Sequence, residues 1–507
     1  MTSSNVKYEL LPTSLDSPTD CCSLSAESSF DFGSSSTLDD NQSFARDKDA
    51  LWNHERDESR YVALEKRVRR AQRQRNILGL LTALVIVIGL LSSHDNNRLF
   101  APKFVKTFDR TNSRDERLPS RRFASLSRGN WTLPSTLMSI DDIVKVYGMR
   151  PQGADIKRGP HRARQVASFT WQPEQAVRDW DTIKFVKRAF NSPKGFVLVG
   201  DSVTMQSFEA LGGMGGLLRV ASAETVTLNT TSYQWLTSRR ITEDGDFGLF
   251  VKNGTKMQRY LMDSLPNVPR ARFDQPFVRA IRSDLLLMPD EVEQVVSKPI
   301  EQKLKVKPSV AESVNALPWQ QLVFGHKQEF ALESWRDVQN SILLVNTGAH
   351  WNPICTGMNS SQDVQTLGKL VASDVLQHIL SLERVNLIWR TTSMAHPDCD
   401  TAILPTSQTL PFKDHPDHMT DAPNRDDWSW STFGTMSGIW TSSIDALAPR
   451  GTIDNGNKVA VLDIAELTSK RPDAHASAKD CLHWALPSVP ATWIKLANHI
   501  MFELDQD

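Results

Sequence analysis

The sequence predicts an α/β protein: a three-layer α/β/α sandwich on a parallel sheet, preceded by a disordered tail, one transmembrane helix and a stem. Three observations carry this expectation. Four short, mostly apolar runs alternate with amphipathic stretches of helical length, the pattern of strands buried on both faces. A charge-free apolar run lies well inside the chain, and the residues before it are rich in Ser, Asp and Thr.

Residues 1–75 read as a cytosolic tail, disordered to about residue 50 and then charged and helical up to the apolar run. Within it, Glu9-Leu10-Leu11 is a dileucine-like pattern. Ile77 to Leu91 carries no charge, and Ser92 and Ser93 extend the span to 77–93. At about 1.5 Å per residue it reaches about 26 Å, enough for a thin bilayer. The run begins too deep in the chain for a cleaved signal peptide. Arg67, Arg69, Arg70, Arg73 and Arg75 crowd its N-terminal flank, whereas Asp95 precedes Arg98 on the other. The positive-inside rule then leaves the N-terminus cytosolic and the remainder lumenal, as in a type II signal anchor. Residues 95–165 are basic and polar, with Pro119, Pro134, Pro151 and Pro160, and read as a stem.

From about 166 to 507 the α/β pattern takes over. A helix is expected over Asp181 to Phe190 and a strand over Gly195 to Val199, ending at Gly200-Asp201-Ser202. Val203 to Leu211 reads as helix, closed by Gly212, Gly213, Gly215 and Gly216. Further strands are expected over Ile342 to Val345, Val385 to Trp389 and Val459 to Ile464. Helices are expected over Val364 to Leu382 and Pro490 to Phe502. Residues 217–335 are less regular, alternating polar and β-branched residues around Val226 to Trp235, and read as an insertion shaping an acceptor cleft.

Composition narrows the partners. A net charge of -1 over 507 residues offers no field for nucleic acid. Fourteen tryptophans could stack on sugars or fill the core. Sequons at Asn130, Asn229, Asn253 and Asn359 all fall on the expected lumenal side. Cys355, Cys399 and Cys481 lie there too, enough for one disulfide and an odd thiol, with three pairings open. His396-Pro397-Asp398-Cys399-Asp400 lacks a second Cys/His pair at metal-binding spacing, so a loop or disulfide position is expected and no metal.

The chemistry concentrates in two places. Ser202 stands at a strand–turn–helix junction, where free backbone N–H groups can stabilise an oxyanion; alternatively, it merely caps the helix. The second glycine of a G-x-S-x-G elbow is absent after it. Asp480 and His483 are three residues apart, so a turn or short helix would place acid and imidazole on one face. Together the three compose a serine-nucleophile triad. Asn346 and Arg390 also follow strand ends and are expected on the same rim.

Several motifs occur in fixed order. They are Trp171-Gln172-Pro173, Gly200-Asp201-Ser202, Val345-Asn346-Thr347-Gly348-Ala349-His350-Trp351, Leu462-Asp463-Ile464, Arg471-Pro472-Asp473-Ala474-His475, and Asp480-Cys481-Leu482-His483-Trp484 running on to Trp493. The series resembles the plant trichome-birefringence-like polysaccharide O-acetyltransferases and the wider PC-esterase branch of the SGNH hydrolase superfamily, over roughly residues 166–500. The resemblance implies an SGNH-like fold with Ser202 as nucleophile, His483 as base and Asp480 as its orienting acid. By position, Gly200, Asp201, Asn346 and Gly348 are candidates for the oxyanion site, and Arg390 for anchoring substrate or a loop. His475 belongs to the motif without being its base. Ala485 stands where the plant pattern has a cysteine, so at most one disulfide is implied here.

The resulting expectation is a Golgi-membrane O-acetyltransferase acting on polysaccharide or glycan hydroxyls through an acyl-serine. The alternatives are an acetyl-esterase of the same fold and a non-catalytic glycan-binding protein. No bound cofactor is expected. An acetyl donor is, together with a transporter partner to deliver it across the membrane.

Overall fold

The computed structural model describes residues 118–153, 160–214, 237–241, 246–288, 291–292, 310–311, 314–325, 335–397, 399–411, 429–477 and 480–506. The expected tail, the span at 77–93 and the stretch Val226 to Trp235 lie outside them. Among the described residues no helix is long and apolar enough to cross a membrane.

An antiparallel ribbon joins β1 (Gly129–Thr132) to β2 (Thr170–Pro173). The central sheet comprises β3 (Phe196–Gly200), β4 (Thr237–Ile241), β5 (Phe247–Val251), β6 (Val278–Arg282), β7 (Ser341–Val345), β8 (Val385–Arg390) and β9 (Val459–Leu462). Their order is β4-β5-β6-β3-β7-β8-β9. The last five of these run parallel, and the β4–β5 hairpin adds an antiparallel edge. A small hairpin, β10 (His475–Ser477) and β11 (Asp480–Trp484), follows. The helices that position the site are α1 (Ile140–Tyr147), α2 (Thr182–Phe190), α3 (Ser202–Met214), α4 (Ser361–Ser381), α5 (Phe433–Leu447) and α6 (Ser488–Gln506).

Period-two alternation sorts the strands into two cores. Phe196, Leu198, Ile342 and Leu344 pack with α2, α3 and α6 on one face. Val197, Val199, Leu343 and Val345 pack with α4 and α5 on the other. The result is three layers, with strand ends Gly200, Arg282, Val345, Arg390 and Leu462 opening onto one rim.

The described tryptophans join these cores. Trp319, Trp335, Trp351, Trp389, Trp440, Trp484 and Trp493 are all essentially inaccessible, which removes them as sugar-stacking platforms. Asn130, Asn253 and Asn359 are exposed, and Asn229 lies outside the described residues.

The structure corrects four expectations. First, α3 runs through Gly212 and Gly213 to Met214 instead of stopping at Leu211. Gly213 is there for close approach: a Cβ on it would stand 2.5 Å from the Tyr147 carbonyl oxygen at the end of α1. Second, Asp480 and His483 lie on a strand, not in a turn or short helix. Third, the region read as an insertion supplies β4, β5 and β6, and β6 pairs directly with β3. Arg279 and Arg282 broke its apolar run; Asp246 grips Arg279 through two oxygens and Asp284 receives Arg282.

Fourth, the stem does not extend to residue 165. Phe123, Leu126, Ile143, Tyr147 and Met149 are buried in the main core. The Trp131 indole donates to the Leu467 carbonyl, and Gln152 and Leu486 exchange two backbone hydrogen bonds. Prolines and basic residues hid this segment's short helices, which bury only one or two side chains each.

Five such side chains, each worth about 1.5–3 kcal/mol, equal the whole net stability of about 5–15 kcal/mol of an ordinary domain. A chain beginning at residue 110 is therefore expected to unfold cooperatively in urea, and one beginning at 166 to show no cooperative transition. Circular dichroism against urea concentration distinguishes them.

Candidate active site

Ser202 is the first residue of α3, and its hydroxyl is free of capping duty. Asp201, fully buried, does that work: its Oδ1 accepts from the Val203 N–H at 3.1 Å and the Thr204 N–H at 3.3 Å. The Asp201 carbonyl takes the Met205 N–H. The N–H groups of a first helical turn have no intrahelical acceptor, and the Ser202 N–H is one of them. Gly200 brings the turn close to β7, since a Cβ on it would meet the Asn346 carbonyl oxygen at 2.4 Å.

The imidazole arrives from the far end of the chain. His483 Nε2 lies 2.7 Å from Ser202 Oγ, across 281 residues of sequence. Its Nδ1 lies 2.9 and 3.1 Å from the two Asp480 oxygens. A carboxylate only accepts, so Nδ1 carries the ring proton and Nε2 offers its lone pair to the Ser202 hydroxyl.

Residues i and i+3 of a regular strand point to opposite faces, and β11 is not regular. Between the pairs His475–Trp484 and Ser477–Asp480, β10 has only Ala476 whereas β11 has Cys481, Leu482 and His483. This bulge turns both side chains to one side. Asp480 Oδ1 fixes it by accepting from the Leu482 and His483 N–H groups at 3.3 and 3.0 Å.

Burial by itself raises the Asp480 carboxyl. The His483 charge, its ring hydrogen bond and its backbone N–H outweigh this, with His475 adding to them, and hold Asp480 well below the usual carboxylate range. Asp480 therefore stays ionised through the neutral and mildly acid range. A group lowered in this way stabilises the fold above its ordinary value, near 3.9, and the contribution is lost as pH falls through the lower folded value.

Gln206, one turn beyond Ser202, is a site residue that the sequence does not single out. Its Nε2 donates to the Trp484 carbonyl at 2.8 Å and its Oε1 accepts the Trp484 N–H at 3.0 Å. The amide thereby clamps the residue after His483 to the helix that carries Ser202. The i,i+4 spacing from Ser202 was the available signal.

The other rim residues form a buried frame beneath Ser202. Asn346 Nδ2 donates to the Arg390 carbonyl at 3.1 Å, and its Oδ1 accepts from Thr204 Oγ1 at 3.4 Å. Arg390 Nη2 donates to Thr204 Oγ1 at 3.1 Å, and the guanidinium stacks on Trp493 at 4.5 Å. Burial pushes Arg390 down to about 10, against the pull of the Asp201 charge. Having no accessible surface, Arg390 anchors the helix and not a substrate. Gly348 lets the loop after β7 meet Thr392, whose Oγ1 would lie 1.8 Å from a Cβ there.

Cys399 and Cys481 form a disulfide, and Cys355, outside that bond, is buried with its Sγ 3.8 Å from His350 Nδ1. The bond fastens β11 between Asp480 and His483 to the loop after β8. Among the described residues no group of His, Cys, Asp and Glu is arranged to hold a metal ion.

No protein-family model matches this chain, and no curated protein does either. The chemistry of the site rests on its own geometry.

Gln206→Ala removes both hydrogen bonds of the clamp. It is expected to slow acylation of Ser202 by an activated acetyl ester about a hundredfold, as for a displacement of about 1 Å; stopped-flow release of the leaving group measures this. Replacing Cys399 and Cys481 together by Ser is expected to cost about 4–5 kcal/mol, from the separation of 82 residues it closes. The urea midpoint reads that loss.

Proposed function

We propose that this protein is an acyl-transfer enzyme of SGNH-like architecture that moves acetyl groups onto glycan hydroxyls through an acyl-Ser202 intermediate. The observation that carries the reading is the unbroken chain Ser202 Oγ, His483 Nε2, His483 Nδ1, Asp480. Its polarity suits a nucleophile, a base and an orienting acid.

In the first half-reaction Ser202 Oγ attacks the acetyl carbonyl of a donor ester as His483 Nε2 takes its proton. The tetrahedral oxyanion is met by the Ser202 N–H at the positive end of α3. Collapse breaks the bond to the donor alcohol, which leaves with the proton from His483. In the second half-reaction a sugar hydroxyl gives its proton to His483 and attacks the acyl-serine. Oγ then leaves and is reprotonated. Asp480 holds the ring tautomer throughout and stabilises the transient imidazolium.

With water in place of the sugar the same apparatus is an acetyl-esterase. The apolar span at 77–93 and its arginine-rich flank support a Golgi-membrane anchor with the domain in the lumen. A single span carries no acetyl group across a bilayer, so a donor made in the lumen or a transporter partner belongs to this reading.

Incubating the purified chain with an acetyl ester is expected to add one acetyl group, read by intact mass and mapped to Ser202. Ser202→Ala should give no adduct, and His483→Ala should slow its formation by at least about a thousandfold. Transfer to oligosaccharide faster than to water identifies a transferase, and equal loss with and without sugar an esterase. No adduct from several donors on folded protein would leave a glycan-binding role.

A further inference from the structure

Behind His483 stands a second pair of imidazoles that this mechanism does not use. His396, in the loop after β8, and His475, at the start of β10, are 3% and 4% exposed. His396 Nδ1 and His475 Nε2 lie 2.7 Å apart. Each outer nitrogen faces a backbone carbonyl: His396 Nε2 lies 3.2 Å from the Ser469 oxygen, and His475 Nδ1 lies 3.0 Å from the His483 oxygen.

Proton counting makes this arrangement informative. A carbonyl oxygen only accepts, so both outer nitrogens must carry protons. Two neutral imidazoles hold one proton each and would spend both there. Their inner nitrogens would then face one another at 2.7 Å as two bare lone pairs. A third proton between the rings removes that conflict and leaves the pair with a single positive charge.

The surroundings divide. The His475 ring stacks on Trp484, with centroids 4.4 Å apart and planes at 25°, a face suited to a cation. Asp473 favours charge on His396, and Asp480 favours it on His475; the charge of His483 opposes it. Asp473 is itself paired with Arg471, Arg162 donates to the Asp473 carbonyl, and Lys470 pairs with Glu466. Burial works against a charge on either ring, pulling His396 down to about 4 and His475 well below its ordinary value, and repulsion between two charged rings adds to it for His475. One shared proton avoids that repulsion and satisfies both carbonyls.

We propose that His396 and His475 hold one proton in common and that the charged pair positions the base by gripping the His483 carbonyl. Both are positioning residues, since neither reaches the reacting atoms. When the shared proton leaves, one of the three hydrogen bonds must open and β11 loses a point of attachment. The kinetic consequence rests on reading Ser202, His483 and Asp480 as catalytic; the proton itself does not.

The test uses the full chain and His396→Gln, whose amide can donate to a neutral His475 and so preserve the bond to the His483 carbonyl without the extra proton. Histidine-selective 15N spectra at pH 7, assigned with His396→Gln and His475→Gln, should show one charged ring pair in the wild type. Two neutral rings there would overturn the proposal whether or not the protein turns over esters. In the unfolded chain both histidines are neutral above about pH 6.5. The pair's contribution is therefore full below that pH and lost as pH rises through its folded value. Over that window the wild-type unfolding constant should rise about tenfold more per pH unit than that of His396→Gln. Equal slopes would also overturn it. If acetyl-ester turnover is present, His396→Gln should keep plateau kcat within about threefold and lose the wild type's alkaline decline. A decline unchanged in the variant would refute the coupling to His483 while leaving the acyl-transfer reading intact.

Discussion

The site depends on one side-chain amide that ties the beginning of the domain's chemistry to its end. Gln206 makes two hydrogen bonds to the backbone of Trp484, while Ser202, a turn earlier, makes one to the His483 ring. Three bonds between a helix and a bulged strand fix distance and orientation together, which a single Ser–His contact could not. The Cys399–Cys481 disulfide and the carbonyl grip of His475 restrain the same strand from elsewhere.

Buried charge sets the frame around it. Arg471 has no accessible side-chain surface, pairs with Asp473 through both oxygens, and lies between the rings of Trp131 and Phe169. Removing one partner of such a pair strands the other, a loss of about 3–5 kcal/mol. Arg390 does similar work under Ser202, joining Asn346, Thr204 and Trp493. Polar groups that read in sequence as candidates for substrate contact are thus spent on holding loops in place. Solvent reaches the site instead beside Asp480, whose side chain is 41% exposed.

The segment 118–153 gives this frame its outer wall. It supplies Trp131 to Arg471, bonds Gln152 to Leu486 just beyond His483, and brings α1 against α3 at Gly213. A stretch with the composition of a spacer is therefore continuous with the scaffold of the site.

The sequence by itself determined the layers and the parts. Short apolar runs bounded by turn residues fit strands covered on both faces, so β3, β7, β8 and β9 were legible, as were α2, α3, α4 and α6, whereas α5 was not. Residue type and spacing singled out Ser202, Asp480 and His483, because few side chains can serve as nucleophile, base and acid. The sequence could not show β6, whose apolar pattern is broken by two arginines, one answered by Asp246, 33 residues away, and the other by Asp284 just past the strand. Nor could it show the bulge in β11, which comes from unequal pairing with β10 and not from any residue preference. Only the tertiary structure decided that Asp201 caps the helix in place of Ser202, that Gln206 clamps the strand carrying His483, and that Cys399 pairs with Cys481. Each is a contact whose energy depends on position in space, and local sequence carries no record of which distant group will arrive there.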